Sequence, residues 1–67
     1  MKLIDTPNPN AKKILFDQKN EDISKSLEKV QGVSSVFVGP GFITITKKNN
    51  FEWEVITEDI VNIFDKL

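Results

Sequence analysis

Sixty-seven residues with 39% hydrophobic and 28% charged side chains, and a net charge of -1, describe one small globular domain, 1–67, that is neither disordered nor strongly basic. The charge balance argues against a dedicated nucleic-acid or membrane-surface binder. The chain has no Cys, His or Tyr, which removes disulfide and zinc staples, the usual general base near neutral pH and the strongest nucleophile.

The chain opens on a short strand signal, Lys2 to Asp5, followed by "TPNPN". Thr6 and Asn8 each precede a proline and are pushed to extended geometry. Pro7 and Pro9 fix their own φ and donate no backbone hydrogen bond. Asn10 is the first residue free to turn. This stretch is a stiff connector, and its rigidity also suits a pre-ordered docking loop that offers the Asn8 and Asn10 amides to a partner. A second strand, Ala11 to Phe16, puts Ile14 and Phe16 on one face and Leu15 on the other.

Ile23, Leu27 and Val30 form one stripe of an amphipathic helix. Asn20 is its expected N-cap, Glu21 and Asp22 suit its positive end, and Gly32 stands where a C′ glycine belongs. "VSSVFVGPGFITITKK" is a hairpin turning at Gly39, Pro40 and Gly41. Val36, Val38, Ile43 and Ile45 share the face expected under the helices. Phe37 and Phe42 fall on the other face, with Thr44 and Thr46.

The last segment carries two periods. Phe51, Trp53 and Val55 alternate like a strand, whereas Trp53, Ile56, Ile60, Phe64 and Leu67 follow a helical stripe. The longer pattern predicts one helix over Asn50 to Lys66, capped by Asn49 with Glu52 three residues later. A shorter variant starts at Thr57. The fold class is therefore α+β: a two-layer ββαββα arrangement with a four-stranded, mainly antiparallel sheet and two helices on one face. The expected core is Ile14, Phe16, Ile23, Leu27, Val30, Val36, Val38, Ile43, Ile45, Trp53, Ile56, Ile60 and Phe64.

"TPNPN" after a short strand, "GVSSVFVGPGFITITK" and the Trp-led "WEVITEDIVNIFDKL" together resemble the N-terminal domain of Nfu/NifU-like iron–sulfur scaffold proteins. The resemblance spans nearly the whole chain. Two places depart from the family pattern: only "DQKNED" stands between the second strand and the first helix, and Gly41 replaces an aspartate common before F-I-T. The resemblance implies the ββαββα fold and a part in iron–sulfur cluster assembly or delivery. It also implies that the cluster belongs to a Cys-x-x-Cys pair in a separate C-terminal domain. Cluster iron is held by thiolates, so a chain without cysteine is expected to hold no cofactor itself.

Without a histidine there is no hydrolytic triad, and no enzyme activity is expected. "GPG" precedes a strand and not a helix, so it reads as a turn and not as a phosphate cradle. The lysines at 12, 13, 47 and 48 read as solvated strand flanks. The acidic residues 52, 54, 58 and 59 suit a helix start and lack the pattern of a calcium loop. The expected docking residues are Thr6, Pro7, Asn8, Pro9, Asn10, Phe37 and Phe42. The expected partners are proteins of cluster assembly or cluster-receiving apoproteins, with no nucleic acid and no membrane, and the chain itself is a monomer or weak dimer. A stand-alone peptide-binding module is the competing reading. No signal-peptide pattern and no spanning run is seen in these residues, so the expected place is the cytoplasm, or the mitochondrial matrix if a targeting segment has been removed.

Overall fold

In the computed structural model, residues 2–16 and 21–66 are described. They form β1 (Ile4–Asp5), β2 (Ala11–Leu15), α1 (Glu21–Glu28), β3 (Val33–Gly39), β4 (Phe42–Lys47) and α2 (Trp53–Asp65). The predicted ββαββα order is observed, and residues 51–55 do not form a fifth strand. The sheet runs β1-β2-β4-β3, with every neighbouring pair antiparallel.

Register settles the two faces. Ile14 lies opposite Ile43, and Val36 lies opposite Ile45. Ile14, Ile43 and Ile45 are buried together with Ile23 and Leu27 of α1 and Ile56 and Ile60 of α2. Each such isoleucine or leucine contributes about 1.5–3 kcal/mol by leaving water. Phe16, Val30, Val36, Trp53 and Phe64 pack against this cluster while remaining partly exposed. Phe16 meets Phe64 edge-on at 5.3 Å, joining the sheet to the last turn of α2.

Val38 departs from the expected core, with 53% of its surface exposed. It has the right parity, but β3 is an edge strand and Val38 sits near its outer end. Alternation chooses the face and does not guarantee that a helix reaches that far along it. Ala11 and Val33 are buried in addition to the expected set.

The helix ends follow local chemistry. α1 tightens after Glu28, where the N–H groups of Lys29 and Val30 donate to the carbonyls three residues back. Gly32 is not the expected C′ glycine, because α1 stops at Glu28; it takes φ +98° as the third residue of the following turn, which the Val33 N–H closes on the Val30 carbonyl. The expected Asn20 cap lies outside the described residues. α2 starts at Trp53, three residues later than the predicted Asn50. Phe51 N–H donates back to the Lys48 carbonyl, so residues 48–51 form a turn. Glu52, extended at φ -95° and ψ 143°, is the N-cap and makes no side-chain capping bond. Asn49 is no cap because it lies inside that turn, ahead of the N-cap; its side-chain oxygen accepts from Asn10 Nδ2 instead. No helix among the described residues is long and apolar enough to cross a membrane.

Candidate functional site

The expected docking residues occupy two separate surfaces. Thr6 to Asn10 form one loop between β1 and β2. Phe37 and Phe42 sit on the sheet face that carries no helix. Among the described residues, no hydrogen bond or ring contact joins the two groups.

The loop is knotted by its own polar groups. The Thr6 hydroxyl lies 2.9 Å from the Asn8 carbonyl and 2.8 Å from the Ala11 carbonyl, and it accepts the Asn8 N–H at 3.2 Å. Asn8 Oδ1 accepts the Asn10 N–H at 2.9 Å, an Asx turn. The Ala11 N–H closes back on the Asn8 carbonyl at 3.0 Å. Fixed φ at two prolines leaves little freedom for these short bonds to restrain.

The loop is also tied to distant parts of the chain. Asn10 Nδ2 donates to Asn49 Oδ1, and the Asn10 carbonyl accepts the Lys47 N–H at 2.7 Å. The Trp53 indole N–H donates to the Pro9 carbonyl at 3.0 Å. Lys12 Nζ sits 5.4 Å from the centre of the Trp53 ring and 3.3 Å from Asp5 Oδ1. A shallow groove runs along Asp5, Thr6, Pro7, Asn8 and Pro9 and ends at Ala11 and Lys12. Pro7, Asn8 and Pro9 face solvent, whereas Asn10 is half-buried and bonded to Asn49, so of the two expected amides the loop presents that of Asn8.

The open sheet face is apolar at its centre. Leu15 lies opposite Phe42, and Phe37 lies opposite Thr44 on the same face. The Phe37 and Phe42 rings are 6.1 Å apart. Phe42 is half-buried because its ring covers Gly39, where a Cβ would stand 2.4 Å from it. Leu15 and Phe37 are 67% and 62% exposed. Lys13 Nζ lies 5.7 Å from the Phe42 ring centre, a cation against an aromatic face.

Sequence reasoning placed both phenylalanines on the uncovered face. It missed Lys13 as their neighbour, although Lys13 and Leu15 share a face by parity alone. It also missed Trp53 and Asn49 as anchors of the loop. No sequence signal shows that pairing, because the partners are far apart in the chain.

A fold of this order, with the proline loop clamped between β1 and β2 and a Trp-led final helix, can be set beside known proteins. The family model described as "Scaffold protein Nfu/NifU N terminal" matches residues 1–67. The chain belongs to the Nfu/NifU N-terminal family. The human NFU1 iron–sulfur cluster scaffold homolog, mitochondrial, is 34% identical over 73 aligned positions, which take in 84% of this chain and 29% of that protein. Its Drosophila erecta counterpart is 33% identical, with 84% and 26% covered. The chain thus spans less than a third of the length of these relatives. A solution structure of a NifU-like protein from Saccharomyces cerevisiae superposes with a TM-score of 0.72 at 26% identity, covering 97% of this chain and 74% of that one. The crystal structure of Staphylococcus aureus protein SAV1430 shares the fold, with a TM-score of 0.83 at 24% identity and 96% and 95% coverage.

Proposed function

We propose that this Nfu N-terminal domain is a non-catalytic protein-interaction module of iron–sulfur cluster assembly or delivery. It binds proteins through the open sheet face, and the cluster it serves is carried by a Cys-x-x-Cys domain or by a partner. The observation that supports this most is the bare apolar centre of that face, with Leu15 and Phe37 mostly exposed beside Phe42. Large apolar side chains in the open are costly to leave in water, and anchors of this type dominate interface energies. Lys13 at the rim favours a partner surface that sets a carboxylate beside an apolar knob. The proline groove is a second docking candidate, pre-ordered by its bonds to Trp53 and Asn49. We place the role in the cytoplasm, or in the mitochondrial matrix where a targeting segment precedes the chain.

Titration calorimetry against a Cys-x-x-Cys scaffold domain and against a cluster-receiving apoprotein tests the reading. Leu15→Ser and Phe42→Ser should each weaken binding about tenfold or more, since truncating a buried anchor costs on the order of 2 kcal/mol. Unchanged affinity in both variants would refute the proposed face. Anaerobic reconstitution with iron and sulfide should leave the isolated chain colourless, because it has no thiolate. A stable visible band with stoichiometric iron and sulfide after desalting would overturn that part.

A further inference from the structure

The two edges of the sheet are unlike. β1 is two residues long, whereas β3 runs for seven as VSSVFVG. Edge strands are usually blunted by charge, proline or shortness. β3 has no charged residue and no proline, and its one irregularity is a register shift between Val33 and Ser35, near its start. Antiparallel pairing with β4 engages the N–H and C=O groups of alternate residues and leaves the others directed off the sheet.

Two exposed side chains show what suits this edge. Phe37 is 62% and Val38 53% exposed. Neighbours in a strand point to opposite faces, so Phe37 lies on the open face and Val38 on the helix-bearing one. A partner lying on either face covers only one of them. A strand laid alongside the edge covers both.

We infer that the β3 edge takes the β3 of a second copy of this chain, antiparallel, making one continuous sheet across a two-fold axis. Self-complementarity chooses this occupant. Pairing centred on Phe37 sets that residue opposite the partner's Phe37, Val36 opposite the partner's Val38, and Ser35 opposite the partner's Gly39. Apolar meets apolar on both faces, and the small residues meet each other. A net charge of -1 leaves little repulsion between copies. The contact is isologous and closes at two chains. A seam one strand wide is smaller than a standard interface, so the dimer is weak and depends on concentration. This goes beyond the docking role above: Phe37 borders both surfaces, but the seam runs along the β3 edge, and Leu15 on β2 is separated from it by β4.

Sedimentation velocity on the whole chain from micromolar to millimolar concentration, with cysteine cross-linking, tests it. The parent should pass from monomer to dimer. Val38→Lys and Ser35→Lys, both at exposed positions, should each weaken self-association at least about tenfold, a shift of about 1.4 kcal/mol, while Leu15→Ser leaves it unchanged. Two variants guard against one of them failing to fold. The chain has no cysteine, so Phe37→Cys provides a single thiol. Directly opposed antiparallel residues have Cα atoms about 4.5–5.5 Å apart, within the span of about 4.4–6.8 Å that a disulfide bridges. Under mild oxidation Phe37→Cys should cross-link at least tenfold faster than Leu15→Cys. A parent that stays monomeric throughout, or equal cross-linking at the two positions, overturns the inference. So does a dimer that Leu15→Ser abolishes and Val38→Lys spares. The docking role is read separately, by calorimetry in dilute solution.

Discussion

The Trp53 indole N–H reaches back across the chain to the Pro9 carbonyl, 3.0 Å away, and ties the first residue of α2 to the tip of the proline loop. The same ring packs on the core and lies under the Lys12 ammonium. One side chain therefore holds three elements in place. Trp53→Ala should destabilise the domain by about 3 kcal/mol, at the lower end for an aromatic because the ring is only partly buried. Trp53→Phe keeps most of the packing and loses the donor, and should cost about 1 kcal/mol. Urea denaturation of both variants measures the difference.

The bonds within the loop give a second expectation. From sequence, Asn8 and Asn10 look free to be replaced, since neither belongs to the apolar core. The Asx turn and the Asn10–Asn49 link change that. Asn8→Ala with Asn10→Ala should cost about 1–2 kcal/mol, the sum of two modest hydrogen bonds at the surface. Thermal melts decide it, and any loss of binding in this double variant must be compared with its loss of stability.

On the open face the three apolar residues should behave differently from one another. Leu15→Ser, at 67% exposure, should stay within about 0.5 kcal/mol of the parent. Phe42→Ser should cost more, about 1–2 kcal/mol, because the ring it removes covers Gly39 and touches Phe37. Equal stability of the two variants in a chemical melt would show that Phe42 is as free as Leu15.

The two glycines with positive φ should also separate. Gly32 at φ +98° has the Phe51 ring 2.7 Å from where a Cβ would stand and Ile56 at 3.1 Å. Gly41 at φ +77° has open space around it. Gly41→Ala should cost only the left-handed penalty of about 1–2 kcal/mol, and Gly41→Asp less, since a short polar side chain tolerates that geometry. Gly32→Ala adds the clash to the same penalty and should be the most damaging of the three. A ranking of melting temperatures checks the order.

Much of this was legible in the sequence, for reasons that differ by residue. The stripes Ile23–Leu27 and Ile56–Ile60 and the alternation through Ile43 and Ile45 report burial directly, because each repeats its element's period. Phe37 and Phe42 were placed on the bare face by parity alone. Val38 was misjudged because parity carries no information on where a covering helix stops. Asn49 was misjudged because a turn over 48–51 delays α2 to Trp53, and the capping pattern in the sequence does not show where the helix begins. The clamp on the proline loop left no mark on the local sequence, since Trp53 and Asn49 lie more than thirty positions beyond it.

The strand order β1-β2-β4-β3 bears on how the chain reaches this structure as well as on what holds it. Gly39 and Phe42 meet across a tight turn, so the β3–β4 hairpin closes a very short loop. β2 pairs locally with the short β1, but it reaches β4, its longer partner, only after α1 and β3 have intervened, and the entropy of that closure is larger. The hairpin should therefore be largely formed in the folding transition state, with β2 and the proline loop docking later. In stopped-flow chevrons, a change at Gly41 should slow folding. Trp53→Phe, which loosens a late contact, should chiefly speed unfolding. The clamp on the proline loop would then be a latch that sets the lifetime of the native state more than the speed of its formation.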